Sequence, residues 1–312
     1  MSACLRETQV ETYIRLVKAG LNMVYLVSDS VSTSKIKSFR EAFPERVINV
    51  GIAEQNLMGI AAGLANGGFV AVTGNATAFL ISRSNEQLKV DVSYTNSNVK
   101  VNGLHAGFSY GTDGCTHHEV NDLSVVRGFP NFEIFVPSDP AECAQITEYA
   151  LTERVGPVYI SLNSGNFPVL AEGGGRFVPG APVQLAEGKD LTIVALGTAV
   201  HDALAAAKAL EGRCSVEVFC VSSVRPLDTK PLEASIKKTG KVLTVEQHST
   251  HGGVGSLVAE CIADRGLGAM LLRLGVPEGQ YTKNWTAPDN KKHFGLDAEG
   301  ISAAAKDFLA KG

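Results

Sequence analysis

Short runs rich in Val and Ile alternate with longer stretches of helical spacing along the 312-residue chain. This alternation restricts the fold more than any other feature. Strands buried on both faces read as continuous apolar runs, and a helical pattern after each one marks a parallel crossover. In the first half the candidate strands are 24–27, 46–50, 69–73, 99–102, 133–136 and 158–162. Between the second and third lies 53–66, where Leu57, Ile60, Ala61 and Leu64 recur at helical spacing before a Gly67-Gly68 stop. From Gly165 to Gly188 the pattern fails among Pro168, Gly173, Gly174, Gly175, Pro179, Gly180 and Pro182, as expected of a surface linker. A second series follows, with strands at 191–196, 216–221, 242–245 and 270–274 and helices near 199–210, 230–238 and 255–265. The expected class is α/β: two doubly wound domains, 1–165 and 189–312, joined by a linker over 166–188.

Composition narrows the partners. A net charge of −4 with 19% charged residues gives no electrostatic case for nucleic acid or an anionic membrane. Cys4, Cys115, Cys143, Cys214, Cys220 and Cys261 are scattered without a paired spacing, which reads as reduced thiols. Arg6, Glu7, Glu11, Arg15 and Lys18 interrupt the first twenty residues, unlike a signal peptide. No run reaches the roughly 18 apolar residues of a membrane span. The expectation is a cytoplasmic protein of small-molecule chemistry.

Chemistry concentrates in one stretch, Gly103 to Glu119, which holds His105, Asp113, Cys115, His117 and His118 among four glycines. Glycines let backbone approach a ligand, and imidazoles and carboxylates move protons near neutral pH. Three readings compete: a loop satisfying its own hydrogen bonds, a metal site, and a catalytic or binding loop. Zinc fits poorly, because adjacent His117 and His118 do not readily face one ion and Cys115 has no partner cysteine at zinc spacing. No metal ligand is assigned to this chain. Glu54 follows the second strand in a helix's first turn, where open α/β sheets bind ligands, although the helix dipole favours an acid there in any case. Shielded from water, it could share a proton with a ring nitrogen. Phe79, just past the third strand, is ordinarily core, yet a phenyl ring beside a carboxylate can seat a flat heterocycle. Gly252-Gly253-Val254-Gly255 has the look of a phosphate loop, but it reads as tight packing and is assigned no ligand.

Taken in order, these pieces resemble the pyrimidine-binding (Pyr) and carboxy-terminal domains of transketolases, over nearly the whole chain. Gly51-Ile52-Ala53-Glu54-Gln55 is similar to the segment carrying the family's cofactor-contacting glutamate, and Phe79 falls at its pyrimidine-stacking aromatic. Asp113-Gly114-Cys115-Thr116-His117 resembles the family's Asp-Gly-Pro-Thr-His element, with cysteine for proline, and His105 matches another active-site histidine. Asn121-Asp122-Leu123-Ser124, Val136-Pro137-Ser138-Asp139 and Thr244-Val245-Glu246 extend the likeness.

The resemblance implies thiamine diphosphate as cofactor, with Glu54, His105 and His117 catalytic and Glu54, Phe79 and Asp29 on the cofactor. His105, Asp113, His117, Arg83 and Thr33 would meet the sugar. The Gly-Asp-Gly element that holds the diphosphate and metal in complete relatives has no counterpart here. A separate N-terminal-type subunit would therefore carry the diphosphate with Mg2+ or Ca2+, in an assembly of two copies of each chain.

One departure bears on substrate. Relatives often place a phosphate-binding arginine near the end of the Pyr domain's last strand, where this chain reads Val158-Tyr159-Ile160-Ser161-Leu162-Asn163-Ser164. Arg83 is the candidate replacement and Thr33 a weaker one. Other readings are the β subunit of a 2-oxo-acid dehydrogenase, a 1-deoxyxylulose 5-phosphate synthase-like enzyme, and a regulatory paralogue that keeps the fold without the activity.

Overall fold

The computed structural model describes residues 2–170 and 177–311. Its strands, in chain order, are β1 (Ser2–Cys4), β2 (Met23–Val27), β3 (Val47–Asn49), β4 (Val70–Ala76), β5 (Val99–Leu104), β6 (Glu133–Phe135) and β7 (Val158–Leu162). They continue as β8 (Asn166–Pro168), β9 (Val183–Ala186), β10 (Leu191–Leu196), β11 (Val216–Val221), β12 (Ser223–Arg225), β13 (Lys241–Ser249) and β14 (Met270–Val276).

Two α/β domains result. The first sheet has the order β12-β6-β7-β5-β4-β2-β3, with every pair parallel except β12 on β6. From β2 the chain steps to one side for β3 and then to the other for β4, which makes the β2/β4 boundary a topological switch point. Ligands of open α/β sheets bind at the carboxyl ends of strands there. The second sheet runs β14-β13-β10-β11-β9, parallel except β9.

Local sequence explains the element nearest the switch point. Helix Glu54–Asn66 starts on an acid, favoured by the helix dipole, and buries Leu57, Met58, Ala61 and Ala62 along one face. It stops at Gly67-Gly68, where Gly68 takes φ +92°. Those side chains pack with Leu26, Ala71 and Val101 in a core that continues into Val194, Leu196, Phe219 and Val221 of the second domain. Each fully buried Val or Leu contributes roughly 1.5–3 kcal/mol. The two domains are thus held together by shared apolar packing.

The stretch expected to be a linker is more structured than its composition suggests. Gly173, Gly174 and Gly175 lie outside the described residues, but Asn166–Pro168 pairs antiparallel with Ser2–Cys4 and Val183–Ala186 joins the second sheet. Farther on, β12 leaves the second domain to pair with β6 of the first. The β1–β8 ribbon has a functional consequence, because it pins the start of helix Leu5–Lys18 beside the end of β7. Among the described residues no helix is long and apolar enough to cross a membrane.

Candidate functional site

The carboxylate of Glu54 is 2% exposed. Its Oε1 accepts from Asn75 Nδ2 at 3.3 Å, from the end of β4, and its Oε2 accepts from Arg83 Nη1 at 3.1 Å. Arg83 closes helix Thr77–Arg83, and its guanidinium carbon stands 5.5 Å from the centre of the half-buried Phe79 ring. Phe79 meets His117 edge-on at 5.1 Å, and His117 meets Tyr110 at 5.2 Å. Tyr110 stacks on His105 at 4.5 Å and 24°. His105 Nε2 lies 2.5 Å from Arg6 Nη1, which also donates to the Thr33 carbonyl at 2.7 Å. One unbroken row of contacts thus joins Glu54, Arg83, Phe79, His117, Tyr110, His105, Arg6 and Thr33.

Backbone geometry builds the middle of that row. His105 follows β5 directly and takes φ +60°, a conformation that non-glycine residues adopt at a cost. The loop beyond it is closed by mutual backbone bonds between Gly107 and Glu119 at 2.8 and 3.2 Å. Within the loop Gly114 sits at φ 74°, ψ −160°, which is open to glycine alone.

A guanidinium can only donate, so the Arg6 contact requires a lone pair on His105 Nε2. The ring proton is therefore on Nδ1, which faces Ser164 Oγ at 2.8 Å. Burial, and next the Arg6 charge, push the His105 pKa from 6.5 down to about 4. The imidazole is thus neutral through the physiological range. Replacing Arg6 with methionine should raise the His105 pKa above about 4 yet leave it below 6.5, since burial remains the larger cause. Imidazole NMR titration of the two proteins checks this, and an unchanged value would show that the Arg6 charge does not act on this ring. The sign for stability follows: between pH 6.5 and about 4 the unfolded ring takes up a proton that the folded one refuses, so acidification there costs stability.

The remaining expected residues divide between the row and its surroundings. Arg83 pairs with Glu54 at 3.1 Å, at the far end of the row from Thr33. Asp29, at φ +56°, is held by Asn49, whose Oδ1 accepts the Asp29 N–H at 3.0 Å. Asp113 is exposed on the loop. Thr33 takes part through its carbonyl to Arg6 and through a hydrogen bond with Tyr110. At the end of β7, where relatives carry the arginine, Asn163 instead donates to the Ala106 carbonyl at 3.0 Å and accepts from Thr198 Oγ1 at 2.8 Å.

Arg6 and Tyr110 were not expected. Arg6 is 8% exposed, and its Nε is buried without a partner among the described residues. A cation so placed, with donors that these two partners do not use, is not evident from the local sequence. In the second domain the amides of Val254 and Gly255 donate to the buried Glu246 carboxylate at 2.8 and 2.9 Å. A Cβ on Gly253 would fall 1.8 Å from Glu246 Oε2. That glycine run is therefore tight packing around an internal acid, as read from the sequence.

Residues 4–169 match the family model described as the transketolase pyrimidine-binding domain, and residues 180–301 match the transketolase C-terminal domain. The chain belongs to the transketolase family. It is 48% identical over 298 residues to one of the subunits of an apulose-4-phosphate transketolase from Actinobacillus succinogenes, covering 95% of this chain and 96% of that one. A solved structure described as a split gene transketolase, inactive beta4 tetramer, superposes with a TM-score of 0.88 at 36% identity, covering 98% of each chain. A 1-deoxy-D-xylulose-5-phosphate synthase of Geobacter sulfurreducens is 35% identical, but this chain spans only 47% of it. Transketolases transfer ketol units, and a chain of this carboxy-terminal type implies a partner subunit.

A thiamine cofactor can be tested against the donor set. A buried carboxylate at a strand's carboxyl end and a half-exposed phenyl ring, bridged by one arginine, suit a planar ring that donates an N–H. The residues present fit the pyrimidine end of the cofactor. Among the described residues no group of three or more His, Cys, Asp or Glu is arranged to hold a metal ion.

Proposed function

We propose that this chain is the carboxy-terminal-type subunit of a two-chain, thiamine diphosphate-dependent transketolase acting on a phosphorylated ketose, with apulose 4-phosphate as donor. The observation that carries the reading is the row of contacts from Glu54 to Arg6, with an acid at one end and a buried cation at the other. When bound, thiamine diphosphate supplies the nucleophilic carbon and the electron sink that let a ketose carbon–carbon bond break.

The chain's own residues would manage protons and hold the sugar. Glu54 would hold a proton at the pyrimidine's ring nitrogen, and Phe79 would offer its ring face. Asp29, beyond β2, is kept as a cofactor contact reached through the turn that Asn49 braces. His105, which is neutral, and His117 would hydrogen-bond sugar hydroxyls, and Asp113 would accept from another. Arg6 would meet the phosphate with the donors it does not spend on Thr33 and His105. Arg83 acts on Glu54 rather than on the phosphate.

The partner would be an N-terminal-type subunit holding the diphosphate and Mg2+ or Ca2+, in an assembly of two copies of each chain. The relative described as an inactive tetramer of one chain type supports the need for a second chain. The test is copurification of the partner, followed by cofactor binding and ketol transfer from apulose 4-phosphate by the pair and by each chain. Activity from the pair alone supports the proposal. Ketol transfer or tight cofactor binding by this chain alone would overturn the shared site, and pyruvate decarboxylation without ketose cleavage would favour the synthase reading.

A further inference from the structure

The loop that carries Asp113 and His117 is gripped from outside its own domain. After β14 the chain runs through 277–286 before helix Ala287–His293. This segment is organised by Asn290, which is 0% exposed. Its Oδ1 accepts the Lys283 N–H at 2.9 Å, and its Nδ2 donates to the carbonyls of Lys283, Trp285 and Thr286 at 3.0, 3.0 and 3.2 Å. One buried amide therefore turns an irregular stretch into a fixed strap.

The strap meets the loop at successive points. Thr282 Oγ1 lies 2.8 Å from His118 Nδ1, and both residues are 5% exposed. A backbone hydrogen bond at Gly111 and the edge-on Phe108 ring also meet His118, and among the described residues Thr282 supplies its side-chain hydrogen bond. Asn284 presses against Gly114, where a Cβ would fall 1.9 Å from its Oδ1. Asn284 thus fills the space beside a backbone conformation that only glycine can take. The backbone carbonyl of Gly114 accepts from His117 N–H at 2.9 Å and from His118 N–H at 2.8 Å. Gly114 and His118 therefore fix the backbone from which the His117 side chain leaves, and that ring is itself held by Thr116 Oγ1 at 2.9 Å from its Nδ1.

We propose that Thr282 and Asn284 are positioning residues for the sugar-binding loop, through which the carboxy-terminal domain sets how tightly the donor ketose is held. The inference rests on the transketolase reading above. Thr282 fixes the base of the loop through His118, and Asn284 fixes its turn. Neither lies in the row that joins Glu54 to Arg6, and the loop meets the pyrimidine seat through His117 against Phe79, so loosening them should disturb sugar binding more than the pyrimidine seat.

The experiment uses the reconstituted two-chain enzyme with Thr282→Val, Thr282→Ser and Asn284→Ala. Three quantities are read: KM and kcat for the phosphorylated ketose donor, the Kd of thiamine diphosphate, and the thermal midpoint. Thr282→Val should raise the donor KM about five- to twenty-fold with a smaller change in kcat, since misplacing a binding group by about 1 Å is costly. Thr282→Ser should restore it, and Asn284→Ala, at an exposed position that folding tolerates, should raise KM in the same direction. Cofactor Kd should stay within about two-fold in all three variants. A fall in thermal midpoint with unchanged KM would make the strap merely structural and overturn the proposal. A parallel loss of cofactor affinity would overturn it as well. An inactive wild-type pair that binds no cofactor would instead refute the function on which the proposal rests.

Discussion

Replacing Glu54 with alanine in the assembled enzyme is expected to lower ketol transfer by about two to four orders of magnitude, the usual worth of a positioned acid or base. The size follows from isolation. Glu54 is the acid of the row, its carboxylate is almost wholly shielded, and its neighbours Asn75 and Arg83 only donate toward it. None of them can accept the proton that Glu54 would hold. The fold should survive, because Arg83 is 54% exposed on its side chain and water can replace the lost carboxylate. A shift of only a few degrees in thermal midpoint is therefore expected alongside the kinetic loss. Ketol transfer within about ten-fold of wild type would end the assignment of Glu54 as the proton-holding group.

Glu54 was legible because its position depends on short-range signals. Its strand is apolar, its helix opens on an acid and closes on Gly67-Gly68, and the carboxyl ends of such strands are where ligands bind. The same holds for the parallel strands β2, β4, β5, β7, β10 and β11. They are buried along their whole length, or nearly so, and short apolar stretches announce them even where a buried polar residue such as Lys100, Asn102 or Glu217 interrupts. Strands β1, β8, β9 and β12 carry no such signal. At three or four residues each they have no period to read, and they exist because distant segments pair with them.

Arg6 was illegible for a related reason. Around Leu5-Arg6-Glu7 the sequence has the mixed character of a solvated helix end, yet Arg6 is buried by contact with a histidine 99 positions away. No local pattern encodes that pairing. It arises because residues 2–4 pair with 166–168, a stretch whose prolines and glycines read as linker. Tyr110 is hidden in the sequence for the opposite reason, because it lies in a loop whose histidines carry the more evident chemistry. Its ring is nonetheless the contact that joins His105 to His117.

Arg6→Met should therefore have the second large effect, and a selective one. A hydrogen bond to a charged partner contributes about 1.5–3 kcal/mol, so losing the guanidinium should cut kcat/KM for the phosphorylated ketose about 10- to 10²-fold. An unphosphorylated analogue should lose less than about ten-fold, because for it only the support Arg6 gives to His105 disappears. The ratio of the two losses separates a phosphate-binding role from a structural one. A misplaced loop would penalise both substrates alike, whereas a missing counter-charge penalises only the anion. Lysine at this position should recover part of the loss at most, since one ammonium cannot reach the Thr33 carbonyl, the His105 ring and a phosphate in the planar arrangement that the guanidinium offers. Equal losses for the two substrates would return the missing phosphate partner to the second chain, and with it the reason an arginine is buried here beside a neutral histidine.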